Sequence, residues 1–291
     1  MTEMKKYQSI VRHGKKGTHL TLETDSDIAI MEKLDGANAS FLIEDGQLKC
    51  FSRNTELDPS NTLRGFYNWT QSLTREQQPK EGLILFGEWL CRHKLDYGEN
   101  ENKFYLFDVY DTDKEEYLSL DDVLDVAYQL DLSTVPIFYT GKFQSMEHIL
   151  SFVGKSELGE KGEGVVVKNY SYRDKHGKQL FTKFVSDEFS EMQNVKKQKI
   201  KTQTDTLDEF VSNTVTKSRV QKILHKLVDE GIVKEDYAIE DMGAILKGFG
   251  SRIVDDVIEE ELDVLLKVLK QKISRKVPTI TKEVLKDEGR M

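Results

Sequence analysis

The stretch Met31-Glu32-Lys33-Leu34-Asp35-Gly36-Ala37-Asn38-Ala39-Ser40-Phe41-Leu42-Ile43-Glu44-Asp45-Gly46-Gln47-Leu48-Lys49-Cys50-Phe51-Ser52-Arg53 decides how this chain is read. Within it, Asn38–Ile43 and Gln47–Arg53 flank Asp45-Gly46, a pair that tolerates positive φ, so the pattern predicts a β-hairpin. Upstream, a strand-like run ends in Lys33, and Leu34-Asp35-Gly36 follows, which places an amine beside a tight turn. Working outward, further strands are expected at 83–89, 103–110, 136–143, 163–169 and 179–185. Helices are expected around 64–77, 119–130 and 145–153, the second opened by Ser119 with Asp122 three residues on. This mixture reads as α+β with largely antiparallel sheets and flanking helices, not as alternating βαβ units.

Beyond residue 190 the pattern changes. Thr216 precedes Val220, Ile223, Leu224, Leu227 and Val228, spaced as one helical face. Ile258, Leu262, Leu265, Leu266, Leu269 and Ile273 form a second stripe, and Pro278 is expected beyond its end. The expected division is a nucleotide-handling domain at 1–195, a basic connector at 196–205 and a small all-α domain at 206–291.

Composition narrows the class. Of 291 residues, 38% are apolar and 32% charged, as in ordinary globular proteins. No run is long enough to span a membrane, and the N-terminal residues show charges without an apolar signal core. Cys50 and Cys91 are the only cysteines and form no Cys-x-x-Cys pair, which argues against a disulfide framework or a cysteine-rich zinc site and fits a reducing cytoplasm. His93, His148 and His225 show no metal-ligand spacing with one another and are expected to be ordinary surface or helix residues. Trp69 and Tyr67 are expected to pack in the core. The net charge is -9, so any grip on nucleic acid must come from a local basic patch. Residues 1–190 carry 23 basic against 32 acidic side chains, whereas 191–226 carry 8 against 4.

The Lys33-Leu34-Asp35-Gly36 string alone arises easily by chance, but an ordered series follows it. Ser52-Arg53-Asn54 ends the hairpin, Phe86-Gly87-Glu88-Trp89 ends the next strand, and Phe104–Tyr110 is an apolar strand containing Asp108. Glu163-Gly164-Val165-Val166-Val167-Lys168 has a carboxylate at one end and a lysine at the other, and Phe181-Thr182-Lys183-Phe184 adds a further strand lysine. The series resembles the ordered motifs of the covalent nucleotidyltransferases, the superfamily of ATP-dependent DNA ligases, RNA ligases and capping enzymes. It is most similar to RNA ligases of the phage RNA ligase 2 type, with Glu-Lys-x-Asp-Gly-x-Asn, then Phe-Gly-Glu, then a helical C-terminal part.

The resemblance implies a ligase adenylation domain. Lys33 would take AMP from ATP, AMP would pass to a 5′-phosphate, and a 3′-hydroxyl would then displace it. An attacking amine must be neutral, which burial or nearby cations favour. Glu88 and Glu163 would be catalytic and would hold Mg²⁺, for which Mn²⁺ could substitute. Lys183 would be a further catalytic cation. Lys168 is also counted at the phosphates, and Arg53 would fork onto phosphate or ribose oxygens. Glu32 is placed beside adenine, Phe107 on its face, and Asn38 at the reacting phosphate. The family's second late lysine is replaced here by Val185, so either Lys168 or a tail lysine is expected to substitute. Lys196, Lys197, Lys199 and Lys201 are expected to bind the strand. The partner implied is RNA, as a nicked duplex or RNA/DNA hybrid, handled by a monomer in the cytoplasm with no membrane contact. Two alternatives stay open, an ATP-dependent DNA ligase and a nucleic-acid-binding domain that kept the fold and lost the chemistry.

Overall fold

The computed structural model describes residues 5–13, 18, 22, 26–174, 176–186, 205–288 and 290. In chain order the strands are β1 (Val11–Arg12), β2 (Asp27–Lys33), β3 (Ala37–Glu44), β4 (Gln47–Ser52), β5 (Leu83–Trp89) and β6 (Phe104–Asp111). They continue as β7 (Glu116–Tyr117), β8 (Ser133–Thr134), β9 (Ile137–Lys142), β10 (Gly164–Lys168) and β11 (Phe181–Val185). Helices α1 (Phe66–Gln71), α2 (Leu120–Gln129) and α3 (Met146–Leu150) flank them. One sheet has the order β1-β11-β10-β2-β9 and the other β4-β3-β5-β6-β7, with β8 beside β6. Among the described residues, only the β1–β11 and β6–β8 pairings are parallel, so the expected α+β class with antiparallel sheets is what forms.

Local chemistry explains the elements. Asp45 and Gly46 both take positive φ, 52° and 72°, which gives the β3–β4 hairpin a turn of matching twist. The Ser119 hydroxyl accepts from the Asp122 N–H and caps α2. The helix expected over 64–77 is shorter than its pattern suggested, because Thr74 opens a separate short turn at Arg75–Gln77.

Strand alternation builds three apolar layers. Ala37, Ala39 and Phe41 of β3 join Leu85, Trp89, Leu106 and Val109 against Phe66 of α1 and Val123 and Ala127 of α2. Trp69 lies in this layer as expected, its ring 5.2 Å from that of Phe104. Phe41, Phe66 and Leu85 are fully buried, each worth about 1.5–3 kcal/mol of apolar burial. Ile28, Ile30, Val165, Val167 and Phe184 cover the far face of the other sheet with Ile149 of α3. Between the sheets, Ile84, Phe86 and Tyr110 meet Val166, Phe181 and Tyr7. A register shift in the β5–β6 pairing leaves Phe107 as an extra residue on β6. Gly87 lies at this bulge, where a Cβ would stand 2.2 Å from the Phe104 ring and 2.6 Å from the Tyr105 carbonyl.

A buried ion pair bridges the sheets. Lys168 Nζ of β10 lies 2.7 Å from Asp108 Oδ2 of β6 and donates to the Phe107 carbonyl at 2.7 Å. The Tyr7 and Tyr170 hydroxyls donate to the two Asp108 oxygens. Burial raises the Asp108 pKa despite Lys168, and burial lowers that of Lys168 despite Asp108. Each charge therefore depends on the other.

The chain forms two compact units, one comprising residues 1–190 with Gln221–Phe249, the other 191–220 with 250–291. Helices α4 (Asp205–Thr214), α5 (Lys217–Asp229), α6 (Met242–Phe249) and α7 (Arg252–Asp287) supply the described C-terminal part. Thr216 caps α5 by accepting from the Arg219 N–H. In the second unit, fully buried Arg219 donates to the Thr214 carbonyl and pairs with Asp256 and Glu261 of α7. Pro278 does not end the last helix. α7 runs through it to Asp287, with Val277, Ile280 and Val284 exposed along it. No helix among the described residues is long and apolar enough to cross a membrane.

Removing one partner of a buried pair strands the other charge. Lys168→Met should lose about 3–5 kcal/mol in denaturant unfolding, and adding Asp108→Asn should recover part of it. An unchanged unfolding midpoint in the single variant contradicts the bridging role.

Candidate active site

Lys33 is the last residue of β2 and Ala37 the first of β3, and the two strands lie in different sheets. Leu34-Asp35-Gly36 is therefore the crossover at the end of the cleft between the sheets. Asp35 Oδ2 accepts from the backbone N–H groups of Lys94 and Leu95, both at 2.8 Å, and the Asp35 N–H donates to the Tyr97 hydroxyl at 2.9 Å. The Gly36 N–H donates to Glu88 Oε1 at 3.0 Å. A Cβ on Gly36 would sit 2.5 Å from the Trp89 carbonyl, so only glycine permits this approach. The Lys-x-Asp-Gly spacing thus has a physical basis. Asp35 and Gly36 anchor the turn that holds Lys33.

Lys33 Nζ lies 2.5 Å from Glu163 Oε2. Glu163 directly precedes Gly164, which is the register partner of Lys33. Across the crossover, Asn38 pairs with Glu88 between β3 and β5. The structure thus brings Lys33, Glu163, Glu88 and Asn38 together at the end of the cleft. Burial alone would lower the Lys33 pKa, but Glu163, with help from Glu88 and Asp35, outweighs it and raises the pKa above its ordinary value. The Glu163 carboxylate thus favours the protonated amine, the form opposite to the one that attacks. Glu163 is raised by burial and by Asp35, with Lys33 and Lys183 opposing. Glu88 is pushed up to about 7, chiefly by burial, against the opposing charges of Lys33 and His93 and the Gly36 N–H. The carboxylate oxygens of Glu88 and Glu163 are hard donors that suit a divalent cation.

The other expected residues divide. Lys183 sits on β11 opposite Val166, and its charge is felt at Glu163. Arg53 follows β4, half-buried, with no side-chain hydrogen bond or ion pair to another described residue, and its charge is felt at Tyr117. Phe107, at the bulge, is half-buried with its ring 4.8 Å from that of Tyr7. Lys168 lies five residues along from Glu163, about 16 Å, where it is engaged by Asp108 and neighbours Phe107. Glu32 lies on the strand face opposite Lys33, buried, accepting from the Ser156 hydroxyl and from the Glu157 N–H at 3.0 Å. Lys196, Lys197, Lys199 and Lys201 lie outside the described residues. Sequence reasoning passed over Tyr97 and the amides of 94–95, whose only signal was the unexplained Asp35.

His225 lies on helix α5, within the surface-or-helix expectation, but His93 does not: its ring packs 4.7 Å from that of His225 and its ring nitrogen lies beside Cys91 and Asp229.

The Glu88 shift sets a pH dependence of stability. Its folded pKa of about 7 exceeds the ordinary 4.5, so its contribution is fully present below 4.5 and is lost as pH rises through 7. Glu88→Gln keeps an acceptor for Gly36 without the charge. Relative to wild type it should gain on the order of 2 kcal/mol above pH 7 and nothing near pH 4.5, read from unfolding at several pH values. A difference independent of pH contradicts the buried-carboxylate assignment.

A family model for RNA ligase matches residues 26–185, more than half of the chain and the whole stretch that builds this site. No curated protein matches. Among solved structures, similar chains include the Naegleria gruberi RNA ligase as a single-residue variant with ATP and Mn, at 22% identity and a TM-score of 0.45. That alignment covers 62% of this chain and 56% of the other. The same ligase with pyrophosphate aligns at 23% identity and a TM-score of 0.46, over 64% and 57%. A variant with AMP and Mn gives 21% and 0.45, over 64% and 57%. The chain thus spans little more than half the length of that enzyme. With its Lys33 turn and the match over 26–185, the chain belongs to the RNA ligase family.

Proposed function

We propose that this protein is an ATP-dependent RNA ligase of the phage RNA ligase 2 type, joining 3′-hydroxyl and 5′-phosphate ends through a lysine–AMP adduct on Lys33. The observation that carries the reading is the fixed crossover turn, which presents Lys33 to Glu163 and Glu88 at the end of the cleft. In the first step the Lys33 amine attacks the α-phosphorus of ATP, an N–P bond forms, and the bond to the pyrophosphate oxygen breaks. Because the Glu163 carboxylate favours the protonated form of Lys33, a proton must leave and the contact must loosen before the amine attacks, and Glu163 is the nearest acceptor. AMP then passes to the 5′-phosphate oxygen, restoring the amine, and the 3′-hydroxyl oxygen displaces AMP to form the new phosphodiester.

The roles follow from position. Asn38 sits beside Glu88 and orients the reacting phosphate, Lys183 and half-buried Arg53 meet its charge, and Phe107 offers a ring to the base. Glu32 holds the 156–157 turn against β2 in this reading, rather than touching adenine. Glu88 and Glu163 would hold Mg²⁺ or Mn²⁺, which when bound neutralises charge at the phosphates. The helices at 205–288 favour this type over a DNA ligase, whose expected barrel would need short alternating strands there. The substrate is RNA in a nicked duplex or RNA/DNA hybrid, and the monomer acts in the cytoplasm.

With α-labelled ATP the wild type should become labelled, and both Lys33→Ala and Lys33→Arg should not, since a guanidinium stays protonated. Lys33→Ala should still seal a pre-adenylated strand, and excess chelator should stop wild-type labelling. Retained label on Lys33→Ala, or full activity in chelator, contradicts the reading.

We further propose that Lys196, Lys197, Lys199 and Lys201 grip the strand, because residues 1–190 are net acidic. Replacing the four with Ala should leave adenylation intact, weaken strand binding uniformly across sequences and flatten its salt dependence. Unchanged binding at two salt concentrations removes them from the interface.

A further inference from the structure

We propose that Cys91, His93 and Asp229 form a zinc site, separate from the oxygen ligands beside Lys33. Cys91 and His93 follow β5 directly, Asp229 closes α5, and all three lie in the same compact unit. Their ligand atoms lie within 4.8 Å of one another. His93 Nε2 is 3.5 Å from Cys91 Sγ and 3.3 Å from Asp229 Oδ2. A tetrahedral zinc ion, with bonds of about 2.3 Å to sulfur and about 2.0–2.1 Å to nitrogen and oxygen, separates its ligands by about 3.3–3.6 Å. These two separations fall in that range, and Cys91 Sγ lies within 4.8 Å of the Asp229 carboxylate.

The surroundings fit as well. A thiolate, an imidazole and a carboxylate suit zinc, whereas Mg²⁺ prefers an all-oxygen set such as Glu88 with Glu163. His93 Nδ1 faces Asp35 Oδ1 at 3.9 Å, the placement of a carboxylate that orients a ligating histidine from behind. Arg64 Nε lies 3.5 Å from Asp229 Oδ1, and both Asp229 oxygens face His93 Nε2, Oδ1 at 3.4 Å and Oδ2 at 3.3 Å. The His225 ring packs 4.7 Å from that of His93 and walls the site, and water completes the coordination. Cys91 is buried and unpaired, and it binds as the thiolate with its proton released to solvent. Zinc here ties the end of α5 to the loop whose amides hold Asp35. That makes it a structural fastening for the crossover turn.

The test uses the tag-free full-length chain purified without chelator. Elemental analysis should find one zinc per chain. After stripping, stoichiometric Co²⁺ should give a near-ultraviolet sulfur-to-cobalt charge-transfer band. Cys91→Ser and His93→Ala should each lower zinc affinity about 100-fold or more, and Cys91→Ser should abolish the band while cobalt at oxygen ligands gives none. Added Zn²⁺ should raise the melting temperature of the stripped wild type and not of Cys91→Ser. A wild type that takes up no stoichiometric zinc, or a cobalt form without the thiolate band, overturns the site and leaves a hydrogen-bonded cluster. The wild-type spectrum decides the matter even if a variant fails to fold.

Discussion

Everything near Lys33 depends on one short crossover held from both sides. Asp35 gathers two amides of the following loop, and Gly36 gives its N–H to Glu88 while lying too close to Trp89 for any side chain. These contacts fix where β2 leaves one sheet and β3 enters the other. A lysine at the last position of β2 then has a single place to go, the cleft end, where Glu163 and Glu88 converge. Rigid elements on two sheets, rather than a free loop, set the distance between amine and carboxylates.

Charge is buried at two places along the cleft, with opposite consequences. Lys168 and Asp108 neutralise each other and receive two tyrosine hydroxyls, so the pair acts as a bolt between the sheets. At the other end burial raises both Glu88 and Glu163 against the charges of Lys33, His93 and Lys183, so carboxylates there are held at a cost to stability.

The helical C-terminal residues do not stand apart from this arrangement as a single block. The segment Gln221–Phe249 groups with the sheets, and Asp229 reaches Arg64 and His93 there. His93 faces Asp35 in turn, so the end of α5 is coupled through one imidazole to the crossover. The second unit has its own centre in Arg219, whose guanidinium is enclosed by Thr214, Asp256 and Glu261.

The sequence by itself determined the local elements. The Asp45-Gly46 hairpin, the Ser119 cap and the strand at Leu83–Trp89 follow from alternation and turn chemistry, which act over a few residues. The order of the motifs also pointed to Lys33, Glu88 and Glu163 together, and the structure brings their side chains close. Strand alternation could have set Glu32 on the face opposite Lys33, but the family resemblance placed it beside adenine. What only the tertiary structure decided were the partners. That Lys168 pairs with Asp108 of the other sheet, and that α7 runs on past Pro278, could not be read from periodicity. Cys91, His93 and Asp229 gave no signal, since 136 residues separate the histidine from its carboxylate. Periodicity encodes which way a side chain points, but what meets it there is set by packing between distant segments.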